Sequence, residues 1–260
     1  MQPDLRSCCP LRLPPTPSLA SPLHDAAVRY EGSLRNIYAG LVDAGRVRGH
    51  CSFRAWISFL NAASLIDLDL SEREGTLCFV WSRMCVFDGQ TVAGRIKESS
   101  LPFEGFMEVS SPVRPPLALA PSSAYPTPTR ELAAFAPQLV LPASSLQALV
   151  RMAVLKSMPL AAEVKQSGLS DAGEWVLNLK ATDINHYRAF LEDETKHAQW
   201  GEEPRGGPLH ERLEGLITLI IRIIEGYVTH ALGNLEVSED EMRKFVRRND
   251  SAFSAAKKSI

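Results

Sequence analysis

A chain of 260 residues with a formal net charge of −2 is long enough for a real core, and it lacks the charge excess that nucleic acid or an anionic membrane surface would favour. Its 45% apolar content is that of an ordinary globular protein. In the apolar C-terminal region the uncharged stretch Gly215 to Ile221, bounded by Glu214 and Arg222, falls far short of the roughly 20 residues that a membrane span needs.

Residues 1–22 are rich in Pro, Ser and Leu and carry Asp4, which reads as a disordered tail rather than a secretory signal. From Leu23 a helical pattern runs to about Val42, with Val28, Leu34, Ile37, Tyr38 and Leu41 on or near one face. Asp43 to Cys51 is a polar loop broken by Gly45 and Gly49. Ser52 is placed to cap a helix whose residues Phe53, Trp56, Ile57, Leu60 and Ala63 share a face. Leu65 to Leu70 is a linker. Ser71-Glu72-Arg73-Glu74 has the spacing of a capping box, so a third helix starts there, with Leu77, Val80, Trp81 and Met84 as its apolar face. Gly75 inside it costs roughly 1 kcal/mol relative to Ala, so that helix must lean on tertiary packing.

After a second polar loop, Asp88 to Leu101, a helical pattern begins at Phe103 and stops at Glu108. It resumes at Ala148. Between them, residues 109–147 hold eight of the chain's eighteen prolines. If Glu108 is joined to Ala148, then Phe103, Phe106, Met107, Leu149, Met152 and Ala153 fall on one helical face. The insert is therefore either a Pro-rich surface loop, which closure entropy tolerates, or a retained intron read as protein, since Glu108-Val109-Ser110 can be encoded with a donor-like GTGAGC.

A second helical region covers residues 159–249. Gly173 to Lys180 and Asp183 to Leu191 offer short helices carrying Trp175, Val176, Leu179 and Ile184, Tyr187, Leu191. Gln199 to Pro208 is a linker. The longest periodic run spans Leu209 to Ala231, with Leu213, Leu216, Ile217, Ile220, Ile224, Tyr227 and Val228 in phase and Gly233-Asn234 as the stop. Ser238-Glu239-Asp240-Glu241 is another capping box, followed by Met242, Phe245 and Val246. Residues 250–260 read as a frayed polar tail. Sustained strand alternation is missing, so the expected fold is mostly α.

The helix positions Ser52-Phe53-x-x-Trp56-x-x-Phe59-Leu60, Leu65-Ile66-Asp67, Leu70-Ser71-x-x-Glu74, Phe79-Val80-x-Ser82-Arg83-Met84, Phe103-x-x-Phe106 and Ala148-Leu149-x-Arg151-Met152-Ala153 carry a resemblance. They resemble the degenerate EF-hand-like pair of the tubulin polymerization-promoting protein family and similar domains of protist and algal ciliary proteins, over residues 23–108 plus 148–158. The resemblance implies EF-hand-like paired helices that bind a protein partner, such as tubulin or another cytoskeletal protein, in the cytoplasm, the cytoskeleton or a cilium. The insert departs from that pattern.

Catalytic and metal chemistry find little purchase. An EF-hand loop needs oxygen ligands at positions 1, 3 and 5 and a bidentate Glu at 12. The first loop sets Asp43 beside Arg46 and Arg48, and the second, from Asp88, has apolar residues where ligands belong. No metal ligand set, cofactor motif or catalytic string is expected. The five cysteines form no framework and read as reduced thiols. Asp67-x-Asp69 is either a helix-capping linker or a metal or phosphoryl-transfer pair; nothing nearby in sequence completes such a site. His50 beside Cys51 is short of the three or four ligands of a zinc site. Arg243, Lys244, Arg247 and Arg248 form a basic cluster on the last expected helix. They are either a solvated face near a helix C-terminus or a contact for an acidic partner such as the tails of tubulin. The leading reading is a non-catalytic helical interaction module with no nucleic-acid partner. A calcium-responsive EF-hand regulator and an enzyme with an unrecognised site are the alternatives.

Overall fold

The computed structural model describes residues 17–45, 49–82, 91, 95–96, 99–101, 103, 147–226 and 236–257. These residues are mostly helical, as expected. In chain order they form α1 (Pro17–Arg29), α2 (Glu31–Gly45), β1 (Cys51–Ser52), α3 (Phe53–Ala62), α4 (Glu72–Val80), β2 (Ser100–Leu101), α5 (Gln147–Leu155), α6 (Ala161–Ser167), α7 (Ala172–Thr182), α8 (Ile184–Glu192), α9 (Leu209–Glu225), α10 (Glu239–Arg248) and α11 (Asp250–Lys257).

The N-terminal helix begins at Pro17, inside the stretch read as a disordered tail, and the long pattern from Leu23 is divided at Tyr30 into α1 and α2. Leu34, Ile37, Tyr38 and Leu41 are buried as their spacing predicts, but Val28 is 52% exposed. The division explains Val28. Its neighbours Ala26 and Ala27 are buried instead, because α1 turns them toward α9.

Ser52 caps α3 by accepting a hydrogen bond from the Ala55 amide, and Ser71 and Glu74 complete the capping box of α4. The apolar face of α4 differs from the expected one. Gly75, Cys78 and Phe79 are buried, while Val80 and Trp81 stay 38% and 37% exposed. The reason lies at Gly75. A Cβ there would come within 2.7 Å of Leu60 Cδ1, and the Gly75 carbonyl accepts a 2.9 Å hydrogen bond from Trp56 Nε1. Glycine lets α4 press its backbone onto α3, and that approach rotates Phe79 inward against Trp56 and Phe53. Met84 and the joined positions Phe106 and Met107 lie outside the described residues.

The loops ahead of α3 and after α4 meet in a two-residue antiparallel ladder, Cys51 opposite Leu101 and Ser52 opposite Ser100. Tyr38 donates to the Leu101 carbonyl at 2.8 Å, which fixes the ladder to α2. The resumed pattern forms α5, in which Ala148, Val150, Val154 and Leu155 are buried as well as Leu149, Met152 and Ala153.

One buried cluster runs through both expected helical regions, from Ala27 to Phe253, so residues 159–249 do not keep a separate core. Helix α9 is central and packs on α1, α5, α7 and α10. Enclosure on several sides explains why Leu219 and Ile221 are buried along with Leu213, Leu216, Ile217, Ile220 and Ile224. Each such side chain contributes about 1.5–3 kcal/mol on full burial. Helix α9 ends at Gly226, earlier than the expected Ala231. Its φ of +77° is a left-handed C-cap that glycine adopts without strain. Tyr227, Val228 and the expected stop at Gly233-Asn234 lie outside the described residues.

The frayed tail is a second correction. Residues 250–257 form α11, which packs on α3. Phe253 is fully buried against Phe245, and Phe245 in turn meets Phe59. Ser58 Oγ donates to the Ala252 carbonyl at 2.8 Å. A segment with one large apolar residue among small and polar ones has a weak helical pattern. It folds here because α3 and α10 supply the rest of the pocket for that residue.

Candidate functional site

Helices α9 and α10 converge at their C-terminal ends. Two devices hold α10 in place. Ser238 and Glu241 form its capping box, and the segment before it is clamped to α2: Asn36 donates to the Val237 carbonyl at 2.8 Å, and the Val237 amide donates to Ser33 Oγ at 2.9 Å. Met242 and Phe245 then bury one face of α10, which leaves its basic residues on the other.

Between the two helices lies a pocket of about 420 Å3, lined by Ile224, Glu225, Glu241, Lys244, Arg247 and Arg248. Three of the four basic residues singled out from the sequence are therefore brought together. Arg248 Nη2 donates to the Ile224 carbonyl at 2.6 Å, so it caps the end of α9 and satisfies one of its orphan carbonyls. Lys244 and Arg247 are exposed at the rim and make no ion pair with a carboxylate among the described residues. Arg243 is turned elsewhere. It pairs with Glu239 at 2.9 Å and Asp240 at 3.2 Å on its own helix and does not line the pocket.

Two carboxylates share the pocket with these cations, and sequence periodicity pointed to neither. Glu241 serves the capping box. Glu225 is half-buried at the last turn of α9, and its carboxyl is held above the ordinary value, first by burial and then by the nearby charge of Glu241, with Arg222 opposing. Arg222 is itself engaged by the N-terminus of α7. It donates to Asp171 Oδ2 at 2.6 Å and to Ser170 Oγ at 2.9 Å and lies 3.8 Å from Glu174.

A second polar cluster sits deep between the linker at Asp67–Asp69 and the end of α5. Asp69 accepts from Lys156 Nζ at 2.6 Å and from the Ser157 amide at 2.7 Å, with the two side chains of the ion pair 0% and 1% exposed. Tyr187 donates to Asp67 at 3.0 Å. Arg212, also buried, donates to the carbonyls of Ala153, Val154, Lys156, Lys196 and Arg205. Burial pushes its guanidinium down to about 10, which still leaves it charged at neutral pH.

The Asp67-x-Asp69 pair is thus neither a helix cap nor a metal pair: both oxygens of Asp69 are taken by a lysine and a backbone amide. Ser157 Oγ and His197 Nδ1 are 3.0 Å apart, the pairing of a nucleophile with a base. Ser157 is buried, however, at 1% exposure. The cluster has the chemistry of a lock between segments.

Burial holds the Cys51 thiol up at about 12, which makes it a poor metal ligand beside His50. Asp43 is exposed on α2, and Asp88 lies outside the described residues. Among the described residues no group of three His, Cys, Asp or Glu side chains could hold a metal ion, and no helix is long and apolar enough to cross a membrane. Comparison with models of known protein families, with curated proteins and with solved structures finds no match to this chain.

Proposed function

We propose that this protein is a non-catalytic helical interaction module whose pocket between α9 and α10 meets an acidic protein surface through Lys244 and Arg247. The observation that carries this reading is the convergence of Lys244, Arg247 and Arg248 on one open concavity. Cations free of carboxylate partners attract an acidic segment at long range and then hydrogen-bond its carboxylates. The reading of an EF-hand-like pair is supported by the ladder between Cys51–Ser52 and Ser100–Leu101, which joins the segment ahead of α3 to the segment after α4. Tubulin, with its acidic tails, is the partner that this architecture and this charge suggest together.

Co-sedimentation with microtubules tests the proposal. Wild type should pellet at low ionic strength and be released as salt shortens the Debye length to about 8 Å or less. The double variant Lys244→Ala, Arg247→Ala should lose most of its pelleting while keeping the Arg248 cap of α9 and the fold. Wild type left in the supernatant at low salt would end the tubulin reading. A double variant that pellets as well as wild type would remove Lys244 and Arg247 from the interface.

A further inference from the structure

We propose that Glu225 is a proton-operated gate on the basic pocket, so that acidic partners bind more tightly as pH falls from neutral toward mildly acidic values. The inference rests on the proposed function above and adds regulation to the same site. Its basis is geometric: Glu225 lines the concavity that Lys244, Arg247 and Arg248 surround, and Glu241 faces it from α10. Among the described residues, the charges around Glu225 come from three elements. Helix α10 supplies Glu241, Lys244, Arg247 and Arg248; α9 supplies Arg222; the N-terminus of α7 supplies Asp171 and Glu174, which Arg222 already engages.

With both glutamates ionised, the described residues of the pocket present three cations and two carboxylates. An incoming carboxylate then meets like charge at the floor as well as opposite charge at the rim. Protonation of Glu225 removes one negative charge and turns its carboxyl into a hydrogen-bond donor. Half-burial and Glu241 both hold this carboxyl above the ordinary carboxylate range, so the gate titrates earlier than an exposed glutamate as pH falls. Linkage runs the same way: an anion that binds the protonated form better raises the proton affinity of Glu225, and protons raise the affinity for the anion.

The test uses the full chain and a labelled poly-aspartate peptide of about ten residues, whose own side chains stay ionised above about pH 5.5. Fluorescence anisotropy at low salt is read at about pH 7.5, 6.5 and 5.5. Wild type should gain affinity as pH falls, by at most the about three- to tenfold that removing one like charge at close range gives. Glu225→Gln should bind more tightly than wild type at pH 7.5, and its affinity should change less with pH than that of wild type. Glu241→Gln can keep the capping box and should move the wild-type step to lower pH. A Glu225→Gln protein that keeps the wild-type slope, or a flat wild type that binds, overturns the gate and leaves the basic interface standing. A wild type that binds the peptide at none of these pH values overturns both.

Discussion

At the inner end of α5, Asp69 and Lys156 meet at 2.6 Å with essentially no exposure; at the outer end of α10, Lys244 and Arg247 stand in solvent around an open pocket. The inner charges are engaged within the chain. Asp69 has two donors, and neighbouring Arg212 reaches five carbonyls from the end of α5, from Lys196 and from Arg205. Among the described residues, Lys244 and Arg247 pair with no carboxylate. Buried charge must find every partner within the chain, because desolvation of an unpaired ion costs several kcal/mol. Exposed charge keeps its hydration and remains free to exchange it for a partner's carboxylates. Catalytic-looking residue types are present in the inner cluster, where they hold segments of the chain together; the proposed interface draws on the outer one.

The sharpest way to break this contrast is to cut the inner pair. Asp69→Ala should cost about 3–5 kcal/mol in urea denaturation, because it strands Lys156 and the Ser157 amide. The double variant Asp69→Leu, Lys156→Met should recover part of that loss. A loss below about 1 kcal/mol for the single variant would mean that the pair is not sealed. Next in size, Phe253→Ala should cost about 3–5 kcal/mol by opening a cavity between α3, α10 and α11. An unchanged denaturation midpoint would restore the expectation of a frayed tail. The smallest effect is expected at Arg243. Its exposed pairs with Glu239 and Asp240 should contribute no more than about 0.5 kcal/mol, and Arg243→Ala should leave poly-aspartate binding unchanged. A binding loss equal to that of the Lys244→Ala, Arg247→Ala variant would spread the interface over the whole basic cluster.

Local signals were legible in the sequence wherever a short-range rule governs. Ser52, Ser71 and Ser238 cap as their spacing requires, and the apolar period of α9 holds from Leu213 to Ile224. The basic cluster was visible as composition, yet its partition was not: whether Arg243 turns to Glu239 or toward the pocket depends on which face Met242 and Phe245 bury. Contacts between distant segments left no trace in periodicity. The Lys156–Asp69 pair joins residues 87 positions apart, and the reach of Arg212 to Ala153 spans 59. Glu225 fell inside the run expected to continue to Ala231, and only the approach of α10 brings it into the pocket. The face of α4 went astray because Gly75 was read as a weakness of the helix, whereas it is the point of closest backbone approach to α3.

The seating of α11 on α3 has a consequence for biogenesis. Ser58 and Ala252 are 194 positions apart, so at about 5–20 residues per second a ribosome needs about 10–40 s after finishing α3 to deliver the helix that covers it. Throughout that interval Phe59, which later meets Phe245, has neither α10 nor α11 against it. The nascent N-terminal half therefore carries a transient apolar surface of the kind that chaperones hold, and the arrival of α10 and α11 covers it.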